Sequence, residues 1–141
     1  MITRTASAVW EGNLAKGKGE LRLGSGAFEG AYSFTSRFEE GTGTNPEELI
    51  AAAHAGCFSM ALSAILAEAG FEPRSVKTTA KVAIEKAPDG FAITRSELRT
   101  EADVPGIDEA TFREKADLAK SGCPVSKALA GVQITLEARL V

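Results

Sequence analysis

The chain has 141 residues, 44% of them hydrophobic and 25% charged, which is the size and balance of one globular domain spanning residues 1–141. A net charge of −3, scattered Lys and Arg, and a single Trp and Tyr argue against a nucleic-acid or anionic-membrane surface. With two Cys and one His, too few soft ligands exist for a closed zinc site, and no serine-hydrolase elbow or phosphate-binding loop is present.

The opening residues Met1–Ala6 carry no apolar or amphipathic leader, which predicts a cytoplasmic location where thiols stay reduced. Residues 5–11 and 17–23 read as strands separated by Gly12-Asn13, and Phe28–Phe38 reads as a third strand interrupted by Gly30. Arg37 then falls at a strand end, flanked by Phe38. It is a candidate cation for a thiol, although a surface strand arginine is the commoner role.

Thr44-Asn45-Pro46-Glu47-Glu48 is the strongest helix start: Asn45 caps, Pro46 takes the first position, and Glu48 completes a capping box. That helix runs to about Ala69, with Gly70 as its stop. Its stretch Leu49–Ala67 is short and polar for a membrane span, since it contains His54, Ser59 and Ser63. It is nonetheless apolar or small on every face, so it needs cover all round. A second chain in an intimate homodimer would supply that cover; a monomer whose own sheets close over the helix is the alternative.

Val76–Lys86 and Phe91–Val104 alternate about the turn Pro88-Asp89-Gly90 and form a hairpin. Asp108 caps an amphipathic helix ending at Gly122, a short helix starts at Pro124, and Gln133–Val141 is a last strand. The order β-β-β-α-β-β-α-α-β is α+β rather than a parallel α/β sheet.

Cys57 lies mid-helix in an apolar run, where a cysteine is ordinarily an inert small hydrophobe. Away from a helix N-terminus, its activation requires a cation from elsewhere. Cys123 stands before Pro124 at a helix start, where amides and the dipole favour a thiolate and suit an attacking or resolving thiol. His54, three residues before Cys57, is a base candidate or, more commonly for such a position, a hydrogen-bonded core histidine.

Gly43-Thr44-Asn45-Pro46-Glu47-Glu48-Leu49, then Ala52-Ala53-His54-Ala55-Gly56-Cys57-Phe58-Ser59-Met60-Ala61-Leu62, with Gly122-Cys123-Pro124-Val125-Ser126, closely resemble the OsmC/Ohr family of thiol peroxidases. Trp10-Glu11-Gly12, Ser36-Arg37-Phe38 and Pro105-Gly106-Ile107-Asp108 are similar to its OsmC (osmotically inducible) branch. The resemblance implies two small antiparallel β-sheet regions around a long buried central helix in an intertwined homodimer. It implies a cofactor-free peroxidase that reduces organic hydroperoxides to alcohols, with Cys57 as peroxidatic and Cys123 as resolving cysteine. Arg37 and Glu47 match the pair that serves the peroxidatic thiol, and the reductant would be a dithiol such as a lipoylated protein.

Phe58, Met60 and Ile50 are expected near the thiol, favouring bulky alkyl peroxides. Glu47 and Cys57 stand ten residues apart on one helix, about 15 Å along its axis, so Arg37 and Glu47 are expected to serve the partner subunit's Cys57. Alternative functions are a non-catalytic stress or ligand-binding protein and a thiol redox sensor of the same fold.

Overall fold

Alternating and capped segments of the sequence become ten elements in the computed structural model, which describes residues 1–141. The chain divides into two units, Met1–Leu49 and Ile50–Val141.

The first unit holds an antiparallel sheet of β1 (Ala6–Glu11), β2 (Lys18–Leu23) and β3 (Glu29–Tyr32) in sequential order. The expected third strand over Phe28–Phe38 is shorter than its pattern suggested, and its second half is a helix, α1 (Phe34–Phe38). The cause is local. Ser33 caps α1 by accepting from the Ser36 amide, and the Ser36 hydroxyl accepts from the Ser33 amide, a reciprocal capping box. Arg37 therefore sits in the last turn of a helix, not at a strand end.

Helix α2 (Pro46–Glu68) starts and stops where expected. Asn45 Oδ1 accepts from the Glu48 amide at 2.7 Å. The Glu48 carboxylate takes the Thr44 hydroxyl at 2.7 Å, so the box closes onto a neighbouring side chain rather than the Asn45 amide. At the other end Gly70 adopts φ 89°, and the Phe71 and Gly70 amides donate to the Leu66 and Ala67 carbonyls, a left-handed stop that a Cβ would strain.

The second unit builds its core on a different sheet. Strands β4 (Ser75–Ala87) and β5 (Gly90–Asp103) form the expected hairpin, and β6 (Gln133–Leu140) joins the other side of β5. This last pairing is parallel, so the second sheet is mixed rather than antiparallel. Residues 104–132, carrying α3 (Glu109–Gly122) and α4 (Pro124–Ala128), form the long crossover that a parallel neighbour requires.

Strict alternation on β5 buries Ser96, Leu98, Thr100 and Ala102 and turns Arg95, Glu97, Arg99 and Glu101 outward. The inner face packs with Phe58, Leu62 and Leu66 of α2 and with Phe112, Ala116 and Ala119 of α3. Asp108 caps α3 through the Thr111 amide at 2.7 Å.

Helix α2 is thus two-faced. His54, Phe58, Leu62 and Leu66, spaced by four, are fully buried. Ala52, Ala53, Gly56, Met60, Ala64 and Ala67 lie exposed on the other side, with Met60 at 76%. The all-round cover that its composition calls for is only half provided by the single chain. At 23 residues α2 is also long and apolar enough to cross a bilayer, so the expectation that it is too short and polar fails on length. Its Phe58–Leu66 stripe belongs to a side-chain core shared with β5 and α3.

Candidate functional site

The sequence-derived site residues fall into two pairs, one in each unit. In the first unit, α1 presents Arg37 to Glu47 in the first turn of α2. Arg37 Nη2 donates to Glu47 Oε1 at 2.8 Å, and Nε lies 3.1 and 3.3 Å from Oε1 and Oε2. Such a two-pronged fork fixes the plane of the guanidinium as well as its position. Glu47 is only 6% exposed, whereas about a third of the Arg37 side chain faces solvent. The guanidinium also lies 5.3 Å from the centroid of the Phe38 ring.

This corner is tied down by small polar side chains. Ser36 Oγ donates to the Thr44 carbonyl at 2.7 Å, and Asn45 Nδ2 donates to the Ser36 carbonyl at 2.9 Å. The Thr44 amide in turn donates to the Ala31 carbonyl of β3 at 2.8 Å. The capping residues of α1 and α2 therefore also aim Arg37 at Glu47. The Ser33–Ser36 box was the signal for this in the sequence, and strand-like alternation around it concealed it.

In the second unit the two cysteines meet as free thiols. Cys57 on α2 is half-buried, while Cys123 between α3 and α4 is completely buried. Their side chains are close enough for each thiol to act on the acidity of the other. Cys123 has φ −57° and ψ 128°, the extended backbone imposed on a residue before proline. The chain direction changes there, while Gly122 closes α3 with no positive φ. The amides of Val125 and Ser126 face the Cys123 sulfur without closing a capping bond.

The two thiols differ in acidity. Burial pushes the Cys57 thiol up, its bond to Cys123 adds to this, and the Val125 amide opposes it. Burial also works against the Cys123 anion. There the Cys57 thiol, the Ser126 amide and hydroxyl, and the Val125 amide outweigh it and hold Cys123 below its ordinary value. No cation is among the groups that act on either sulfur.

His54 is a fully buried, hydrogen-bonded core histidine. Its Nδ1 lies 2.7 Å from Ser96 Oγ on β5 and its Nε2 lies 2.8 Å from Ser126 Oγ on α4. Burial pushes its pKa down, so it is neutral around pH 7. Sequence reasoning missed Ser96 and Ser126 because a lone buried serine carries no pattern. Phe58, expected beside a substrate, is instead locked in the core at 0% exposure, and Met60 is on the exposed face. No cluster of three or more His, Cys, Asp or Glu side chains is placed to hold a metal ion.

Comparison with known proteins places these residues in context. A family model described as OsmC-like protein matches residues 39–137. The chain is 51% identical over 140 residues to Peroxiredoxin OsmC of Escherichia coli strain K12, covering 99% of this chain and 97% of that protein. It is 41% identical over 98 residues to an Organic hydroperoxide resistance protein of Xanthomonas axonopodis pv. citri, covering 68% and 67% respectively. Among solved structures, the Organic Hydroperoxide Resistance Protein OhrB of Bacillus subtilis superposes with a TM-score of 0.76 at 28% identity, over 95% of this chain and 97% of that one.

Proposed function

The chain belongs to the family of OsmC-like proteins and is a cysteine-based peroxidase, and we propose that it reduces organic hydroperoxides through Cys57 and Cys123. The observation that carries this reading is the pair of neighbouring free thiols, one partly open to solvent and one fully buried. The Cys57 thiolate attacks the terminal peroxide oxygen, the O–O bond breaks, and the alkoxide leaves to take a proton as the alcohol. Cys57 is then a sulfenic acid. The Cys123 thiolate attacks that sulfur, hydroxide leaves, and a Cys57–Cys123 disulfide forms. A dithiol, of the lipoyl kind, returns both thiols by exchange and is itself oxidised to a disulfide. A cytoplasmic setting suits this cycle because reducing dithiols are maintained there.

The cycle demands a positive charge near Cys57, because burial keeps that thiol protonated and no cation acts on it within its own unit. Arg37, held by Glu47, is the group we assign to this task. Ten residues of α2 separate Glu47 from Cys57, about 15 Å of helical rise. On that ground the partner subunit's Arg37 serves each Cys57 in a homodimer. The exposed apolar stripe of α2 through Met60 supports the same assembly, since it is a face that water leaves unsatisfied.

One observation favours a second reading, in which Cys123, the more acidic thiol, attacks first. Its complete burial weighs against this, because a peroxide reaches the half-buried Cys57 sooner. Sulfenic-acid labelling decides: C123S should trap a labelled Cys57 after one equivalent of cumene hydroperoxide, and label confined to Cys123 in C57S would reverse the order. Mixing R37A with C57S should raise activity well above that of either variant alone. Failure to raise it in mixed dimers shown to form would rule out the cross-subunit arrangement. A chain that leaves cumene hydroperoxide intact in the presence of dihydrolipoamide would be a ligand-binding protein or redox sensor instead.

A further inference from the structure

Outside the four residues already assigned, the second unit contains one buried polar construction that the cycle does not yet use. Ser96, His54 and Ser126 form a hydrogen-bonded chain from β5 through α2 to α4, and the Ser126 hydroxyl lies beside Cys123 and acts on its acidity. The first three side chains are at most 6% exposed and Cys123 is fully buried. A neutral imidazole has one donor and one acceptor nitrogen, so the directions of the bonds along this chain are linked. For the Ser126 hydroxyl to donate to sulfur, its oxygen must accept from His54 Nε2–H. Nδ1 is then the acceptor and receives the Ser96 hydroxyl.

We infer that His54, acting through Ser126, is a positioning residue for the resolving cysteine, orienting the Ser126 hydroxyl so that it donates to Cys123 as this sulfur attacks the Cys57 sulfenic acid. This rests on the peroxidase reading above. In the step itself the Cys123 thiolate forms the S–S bond as the Cys57 S–O bond breaks, and hydroxide departs; no further oxidant or reductant enters.

Three features support the assignment. Ser126 lies in the first turn of α4, three residues after Cys123, where its amide as well as its hydroxyl faces the sulfur. His54 lies one turn before Cys57 on α2, so a single helix presents both the attacking thiol and the group that orients its resolving partner. The site has no charge of its own to hold a Cys123 anion. Among the groups acting on Cys123, Cys57 on α2 is the titratable one, His54 is linked to it through Ser126, and the α4 groups Val125 and Ser126 and the β5 group Ser96 do not ionise near neutrality. Hydrogen-bond donors must therefore do what a cation does elsewhere.

Rapid mixing of the full-length reduced protein with one equivalent of cumene hydroperoxide separates sulfenic-acid formation from disulfide formation. Ser126→Ala should slow the second step by roughly 10–100-fold, more than it affects the first, because one hydrogen bond to a charged group is lost. The pH midpoint of the second step should rise by about 1–2 units. Ser126→Thr keeps the hydroxyl and should restore most of the rate. His54→Gln, which retains a donor towards Ser126, should fall between wild type and His54→Leu.

A Ser126→Ala protein that forms the disulfide at the wild-type rate and pH midpoint overturns the inference. So does one whose loss Ser126→Thr fails to repair while its melting temperature is unchanged. If His54→Leu does not fold, the two Ser126 variants still decide. Wild-type protein that consumes peroxide but never forms the Cys57–Cys123 disulfide would sink the cycle itself, a failure distinct from these.

Discussion

The Arg37–Glu47 corner and the Cys57–Cys123 cluster solve opposite problems. The first pairs a part-exposed guanidinium with a buried carboxylate, and small side chains fix their geometry. The second surrounds a buried thiol and a half-buried one with uncharged groups, among them the hydrogen-bonded Ser96, His54 and Ser126. An arginine stays charged anywhere on a protein, so its corner needs aim rather than activation. A thiol is reactive only as its anion, and burial opposes that anion. The proposed activity needs both, because a buried thiol becomes an anion readily only with a cation beside it.

The hardest test of that contrast is removal of the sulfur. Cys57→Ser should reduce cumene hydroperoxide turnover to the uncatalysed background, measured with dihydrolipoamide as reductant. Next comes the charged corner: Arg37→Ala should lower kcat/KM by about 10²–10³-fold, the usual cost of one preorganised donor. Arg37→Lys should recover little, because an ammonium lacks the two-pronged fork to Glu47. Full activity in Arg37→Ala would mean that the cluster activates its own thiol.

The shared core of the second unit gives a third, structural test. Leu62→Ala, fully buried between α2 and its neighbours, should cost about 2–5 kcal/mol in urea unfolding. By contrast Met60→Glu on the exposed stripe should leave the single chain's stability nearly unchanged and, if the proposed homodimer forms through that stripe, shift sedimentation towards monomer.

The smallest expected effect concerns pH. Burial lowers the His54 pKa, so the stability it contributes is complete above the unfolded value of about 6.5 and lost as pH falls through the lower folded value. Unfolding free energy should therefore drop by at most about 1.4 kcal/mol per pH unit below pH 6.5, and His54→Gln should flatten that slope. An unchanged slope would place the acid sensitivity in the carboxylates.

Much of this was readable in advance, for identifiable reasons. Asn45, Pro46 and Gly70 bracket α2 because caps and stops are local chemistry, decided within a few residues. Asp108 and Pro124 mark α3 and α4 in the same way. Local alternation failed at Phe34–Phe38, where two serines closing on each other outweighed a strand-like pattern. It also could not show that β6 runs parallel to β5, since alternation is the same in either direction.

What the sequence determined by itself was the set of short-range decisions: helix ends, strand faces, and the residue types capable of thiol chemistry. Tertiary structure decided which of those residues share a space. His54 joins Ser96 and Ser126 across 42 and 72 positions, and Cys57 reaches Cys123 only after α3 has folded back along the sheet. Such contacts depend on the loop closures and burial that assemble a core, and no repeat or spacing encodes them.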